Sequence, residues 1–135
     1  MQDTSLPSSK ADYINNMPLI ARGLGSADLV TCESHGAPGD NCACCKTLVT
    51  TTNEKSPNVF VEGVGVVRLQ DKMTAHMRNY GPQGTTCNPH SPPCNTASPN
   101  VFANGEPVAR LGDTYFEVNN HTISTITQST VFANG

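Results

Sequence analysis

The chain has 135 residues, 36% of them apolar and 14% charged, with a formal net charge of −3. That length suits one small domain, and so few apolar side chains leave a thin core that needs staples. A mildly acidic chain with no basic stripe and no aromatic-basic interleaving excludes nucleic acid as an expected partner.

Eleven Gly and ten Pro, no Trp, and Val-Phe pairs set between turn formers predict an all-β fold of short strands. Residues 1–17 read as an N-terminal arm, rich in Ser and Asn, without the basic start and apolar stretch of a signal peptide. The longest apolar run, residues 59–67, is broken by Glu62, so no membrane span is expected and the chain is expected to be made in the cytoplasm. Six Cys and four His without an export signal favour metal binding over a secreted disulfide framework, although loop-closing pairs such as Cys87 with Cys94 or Cys32 with Cys42 stay open.

Further along, a block repeats. Ser56-Pro57-Asn58-Val59-Phe60-Val61-Glu62-Gly63 recurs as Ser98-Pro99-Asn100-Val101-Phe102-Ala103-Asn104-Gly105, and again as Ser129-Thr130-Val131-Phe132-Ala133-Asn134-Gly135. An Arg block follows the first two copies, as Val66-Val67-Arg68-Leu69-Gln70-Asp71 and Pro107-Val108-Ala109-Arg110-Leu111-Gly112-Asp113. Pro18-Leu19-Ile20-Ala21-Arg22-Gly23-Leu24-Gly25 reads as the same block near the start, with an inserted residue. Each unit is therefore an Arg block, a variable loop and a Val-Phe strand ending in a Gly turn, over residues 18–63, 64–105 and 106–135.

Asn104-Gly105 suits a two-residue hairpin, whose central positions both need positive φ. The third Gly turn has no Arg block after it, so its strand keeps an open edge unless residues 18–22 pair with it. Pseudo-threefold closure with the two ends adjacent is the expectation. The Val-Phe residues read as core, and the repeated Arg68/Asp71 and Arg110/Asp113 spacing as a turn with a salt bridge.

All four His fall in the variable loops: His35 in the first unit, His76 and His90 in the second, His121 in the third. His90 lies eleven residues before Val101 and His121 ten before Val131, so the two are near-equivalent. The same count in the first unit lands on Leu48 or Val49, which reads as a register displaced by an insertion. Cys32-Glu33-Ser34-His35 matches Cys87-Asn88-Pro89-His90 and supports His35, whereas Cys42-Ala43-Cys44-Cys45 supports the Cys45 thiolate. The metal-ligand candidates are therefore His35, Cys45, His76, His90 and His121.

On these residues the chain resembles the PAAR-repeat family, whose Pro-Ala-Ala-Arg motif stands here as Pro107-Val108-Ala109-Arg110. The first unit keeps Pro18 and Ala21-Arg22 and departs at Gly23 and Ser26; the second keeps only Arg68 and Asp71, with Gly65 in the Pro position. The resemblance spans residues 18–135. It implies a small cone of three β-hairpin repeats whose base caps the blunt end of a homotrimeric β-helical spike, one tip per trimer. It also implies a vertex that holds one structural metal ion, zinc with iron as the alternative, on three His and one Cys. Here those ligands would be His90, His121, one of His76 or His35, and one Cys.

The implied function is the envelope-piercing tip of a contractile injection apparatus, in a phage tail or similar particle, touching other baseplate proteins and transiently the target envelope. A type VI secretion spike tip that recruits effectors is the alternative. A small zinc enzyme is the remote one, because no His-Glu-x-x-His helix, nucleophile elbow or phosphate loop accompanies the His residues and no acid keeps a repeated relation to them. No enzymatic activity is expected.

Overall fold

The computed structural model describes residues 13–14, 17–32, 48–79, 87–116 and 121–133. Among them there is no helix, and the strands are short and antiparallel, as an all-β chain punctuated by Gly and Pro requires. They are β1 (Tyr13–Ile14), β2 (Met17–Pro18), β3 (Leu29–Cys32), β4 (Leu48–Thr50), β5 (Phe60–Val61), β6 (Val64–Gly65), β7 (His76–Asn79), β8 (Cys87–His90), β9 (Phe102–Ala103), β10 (Glu106–Pro107) and β11 (His121–Thr125).

Two of the repeats make the same two-residue hairpin. β5 pairs with β6 across Glu62-Gly63, and β9 with β10 across Asn104-Gly105. The turn residues have φ of 48° and 82° in the first and 56° and 79° in the second, the left-handed geometry such turns demand. In the third unit the partner comes from the other end of the chain. Leu19 bridges Phe132, the Ala133 amide donates to the Pro18 carbonyl at 3.0 Å, and the Ile20 amide donates to the Val131 carbonyl at 3.0 Å. Residues 18–20 thus close the ring, as expected.

The Arg blocks build a floor about a pseudo-threefold axis. The amide of Ala21 donates to the carbonyl of Ala109 (2.9 Å), Ala109 to Val67 (2.8 Å) and Val67 to Ala21 (2.9 Å), a cyclic triad between units. A second cycle runs from Gly23 to Gly65, Leu69 to Pro107 and Leu111 to Leu19, at 2.8 to 3.0 Å. Because side chains alternate along extended backbone, neighbouring residues of each block enter different cores. Ala21, Val67 and Ala109 join Val30, Cys32, Met73, Cys94, Tyr115 and Ile123 on one side. Ile20, Val66 and Val108 join Val61, Ala103 and Ala133 on the other.

The same alternation corrects one expectation. The inward residue of each Val-Phe strand is the one after Phe, namely Val61, Ala103 and Ala133. Phe60 and Phe102 are 57% and 55% exposed, and Val59 and Val131 are exposed beside them. Two of the repeated aromatics, Phe60 and Phe102, are a surface, and the third, Phe132, is half-buried.

Polar groups fix the repeats in register. The Asp71 carboxylate accepts from the Arg68 amide (2.8 Å) and guanidinium (3.0 Å), and Asp113 does the same for Arg110 at 2.7 and 2.9 Å. In the first unit Asp28 takes this place, accepting from the Arg22 amide at 2.8 Å and its guanidinium at 3.1 Å, so the first unit carries three extra residues between Arg and Asp. Ser56 Oγ accepts from the Asn58 and Val59 amides, and Ser98 Oγ from Asn100 and Val101. Their third counterpart is Gln128, whose Oε1 accepts from the Thr130 and Val131 amides; Ser129, which the repeat suggests, lies one residue out of step. Gly65 replaces the motif proline for a steric reason, since a Cβ there would sit 2.2 Å from the Ser56 carbonyl oxygen.

On the Cys32 side of the floor the variable loops rise as a closed circuit of antiparallel pairs. Thr52 bridges Met73, Lys72 bridges Pro93, Cys94 bridges Tyr115 and Thr114 bridges Thr122. β11 then pairs with β3, and β3 with β4, which leads back to Thr52. The circuit encloses Met73, Cys94, Tyr115, Val30 and Ile123, with the Tyr115 hydroxyl hydrogen-bonded to the Thr52 hydroxyl.

Candidate metal centre

Two cross-strand pairs build the site. His76 stands opposite His90 in the β7–β8 hairpin, and His121 stands opposite Cys32 between β11 and β3. Residues directly opposite in an antiparallel ladder share a face, with Cβ atoms about 4.5–5.5 Å apart, so each pair presents two donors to one side. The three imidazoles converge. His76 Nε2 is 2.7 Å from His90 Nε2 and 3.4 Å from His121 Nε2, and the last two are 3.3 Å apart. Their ring centroids lie 4.3 to 5.4 Å from one another, none of them face to face.

Cys32 and His121 are wholly buried and His76 half-buried, and ligand atoms of these three lie within 4.8 Å of one another. Tetrahedral coordination at about 2.0–2.1 Å puts imidazole nitrogens about 3.3 Å apart, close to two of the three separations. The third, at 2.7 Å, brings two nitrogens so close that only a proton or a cation between them offsets the repulsion of their lone pairs. Three imidazoles and a thiol inside one small volume therefore fit a metal ion, and Cys32, His76 and His121, with His90 beside them, can hold it.

The electrostatics agree. Burial pushes the Cys32 thiol up to about 12, so without a cation it stays protonated. A bound cation reverses this, because a coordinating thiol gives up its proton outright. Ligation would then release a proton from Cys32. The other buried cysteine, Cys94, is likewise pushed up to about 12, and its Sγ donates to the Thr96 carbonyl at 3.2 Å. Both Cys32 and Cys94 are free thiols, so neither the Cys32–Cys42 nor the Cys87–Cys94 pairing is formed.

Three of the five ligand candidates, His76, His90 and His121, meet at one point. His35 and Cys45 lie outside the described residues. The thiol at the point is Cys32, which the backward count from the Val-Phe strand passes over. That count lands on Leu48, and Leu48 does stand opposite Cys32, as His90 stands opposite His76. The first-unit register is therefore not displaced. The first unit supplies its donor from the ascending strand, the second from both strands, and the third from the descending strand. A forward count finds it: Cys32 lies four residues after Asp28, and His76 five after Asp71. Every unit contributes, so an ion here joins all three.

No protein-family model and no curated protein matches this chain.

Proposed function

We propose that this chain is a PAAR-like spike tip, a non-enzymatic cap on the blunt end of a trimeric β-helical spike in a contractile injection apparatus, stapled by one zinc ion. What carries the reading is the two-sided floor. A cyclic triad of Ala21, Val67 and Ala109 separates a face on which each unit exposes an apolar residue, Phe60, Phe102 and Val131, from a cluster in which Cys32, His76, His90 and His121 bring the three units together.

A chain with three similar units offers three similar contacts to a C3 partner, so one copy ends one trimer. Phe60, Phe102, Val59 and Val131 supply apolar area for that contact, and capping also covers strand edges that would otherwise invite aggregation. At the other end the ion holds the loops together, with a borderline-soft donor set of imidazole and thiolate that suits zinc. Sheath contraction drives the spike axially, and the stapled end meets the envelope first.

The test is elemental analysis of the purified protein before and after chelation, with electron microscopy of the particle that contains it. About one equivalent of zinc, and density for one copy at the spike end, support the reading. A metal-free protein, or one located away from the spike, overturns it. A Phe60→Glu, Phe102→Glu variant that keeps its zinc is expected to be lost from the particle.

A further inference from the structure

β7 and β8 form a two-stranded sheet of their own, apart from the three-stranded sheet of β11, β3 and β4. His76 and His90 ride on the first, Cys32 and His121 on the second. For four donors to meet within a few ångströms, the two sheets must be held in register by something other than their own ladders.

Just below His76 there is such a link. Thr74 Oγ1 and Thr51 Oγ1 are 2.6 Å apart, and the Thr74 amide donates to the Thr51 carbonyl at 3.0 Å. Thr51 directly follows β4, which pairs with β3 and so with the strand that carries Cys32. On the other side, the Thr74 carbonyl lies 2.8 Å from His76 Nδ1. A carbonyl oxygen only accepts, so the proton of the neutral ring sits on Nδ1 and the lone pair on Nε2, the nitrogen that faces His90 and His121. Imidazole ligands are commonly held this way, by a hydrogen bond from the nitrogen that does not coordinate.

We propose that the Thr51–Thr74 hydroxyl pair is the positioning device of the metal centre: it locks the Thr74 carbonyl that sets the His76 tautomer, and it ties the His76–His90 half of the site to the Cys32–His121 half. Thr51 and Thr74 touch no ion themselves. The inference rests on the metal-binding reading above.

The experiment compares wild type with Thr51→Val, which keeps the side-chain shape and loses the hydroxyl, and Thr51→Ser, which restores it. Metal-free proteins are loaded with Co²⁺ and with Zn²⁺. The readouts are the Co²⁺ ligand-field and thiolate charge-transfer bands, affinity by chelator competition, and melting of the metal-free proteins. Thr51→Val is expected to bind about 10-fold to 100-fold more weakly with shifted ligand-field bands. Its metal-free melting should stay near wild type, and Thr51→Ser should recover both affinity and spectrum. Equal affinity and identical bands in wild type and Thr51→Val overturn the proposal, as does a weakening matched by an equal loss of metal-free stability. A wild type that binds neither ion overturns the metal reading itself, a separate result.

Discussion

Below the floor the three units are nearly interchangeable; above it each is different. The Arg blocks make one cyclic pattern of backbone bonds, and the Arg–Asp forks and Ser or Gln caps are superposable in role at every unit. On the other side, the first unit supplies a thiol, the second two imidazoles and the third one imidazole. The difference shows where each kind of force suits. Repeated backbone pairing stabilises a symmetric ring with little core, whereas the proposed tetrahedral ion would need four donors from three units, which no threefold repeat can provide equally.

The sharpest way to separate the two regions is to take away the proposed metal. The His90→Ala, His121→Ala double variant is expected to lose the ion and about 4 kcal/mol, for metal a thousandfold above its Kd. That corresponds to a melting temperature lowered by roughly 10–20 °C. Hydrogen exchange reads the difference locally: amides of β3 and β11 should exchange faster, while those of Ala21, Val67 and Ala109 stay slow. Equal acceleration on both sides would mean that the floor does not stand without the staple.

The next effect tests whether the floor is as symmetric energetically as it looks. Asp28 is 3% exposed, and its carboxylate serves the Arg22 amide and guanidinium as well as the Thr127 amide and hydroxyl. Asp28→Ala strands a buried Arg22 and should cost about 3–5 kcal/mol by urea unfolding. Asp113→Ala frees the less buried Arg110 fork and should cost about 1–3 kcal/mol. Equal losses would show that burial does not distinguish the units.

A pH titration probes the upper region alone. The folded thiols of Cys32 and Cys94 are raised to about 12 from an ordinary value of 9.0. The neutral forms are thus favoured in the folded state, and their contribution is complete below pH 9 and falls away as pH rises toward 12. Metal-free protein should lose about 1.4 kcal/mol per pH unit for each thiol across that window. With zinc bound, Cys32 is already a thiolate, so the loss should shrink to the Cys94 share. Melting curves between pH 8 and 10.5, with and without zinc, check this.

The smallest effect belongs to the first hairpin turn. Glu62 holds φ of 48° at the turn position where the second unit has Asn104. Asn tolerates that conformation better, so Glu62→Asn should stabilise by about 0.5–1 kcal/mol in denaturant unfolding.

Much of the lower region was legible because its determinants are local and repeat. Asn104-Gly105 specifies its own turn, and the third Val-Phe strand pairs with Pro18 and Leu19 as the repeat predicts. His90 and His121 were legible by the same logic, since each keeps its distance to a Val-Phe strand. Gln128 was not, because a longer side chain reproduces the bonds of a serine with no likeness in sequence. Cys32 was missed because it is equivalent to His76 on the ascending strand, a relation hidden by three extra residues before Asp28.

Sequence alone determined that the chain is β-structured and that its Val-Phe and Arg blocks repeat, since composition, turn chemistry and repetition are properties of neighbours along the chain; the histidines it assigned to variable loops stand on strands, His76 on β7, His90 on β8 and His121 on β11. Only the tertiary structure decided which face each residue takes. Phe60 and Phe102 lie outside and Val61 and Ala103 inside because strand register sets the face, and register is fixed by partners from other units. The choice of Cys32 to complete the imidazole cluster was decided in the same way, by the pairing of β3 with β11, elements far apart along the chain.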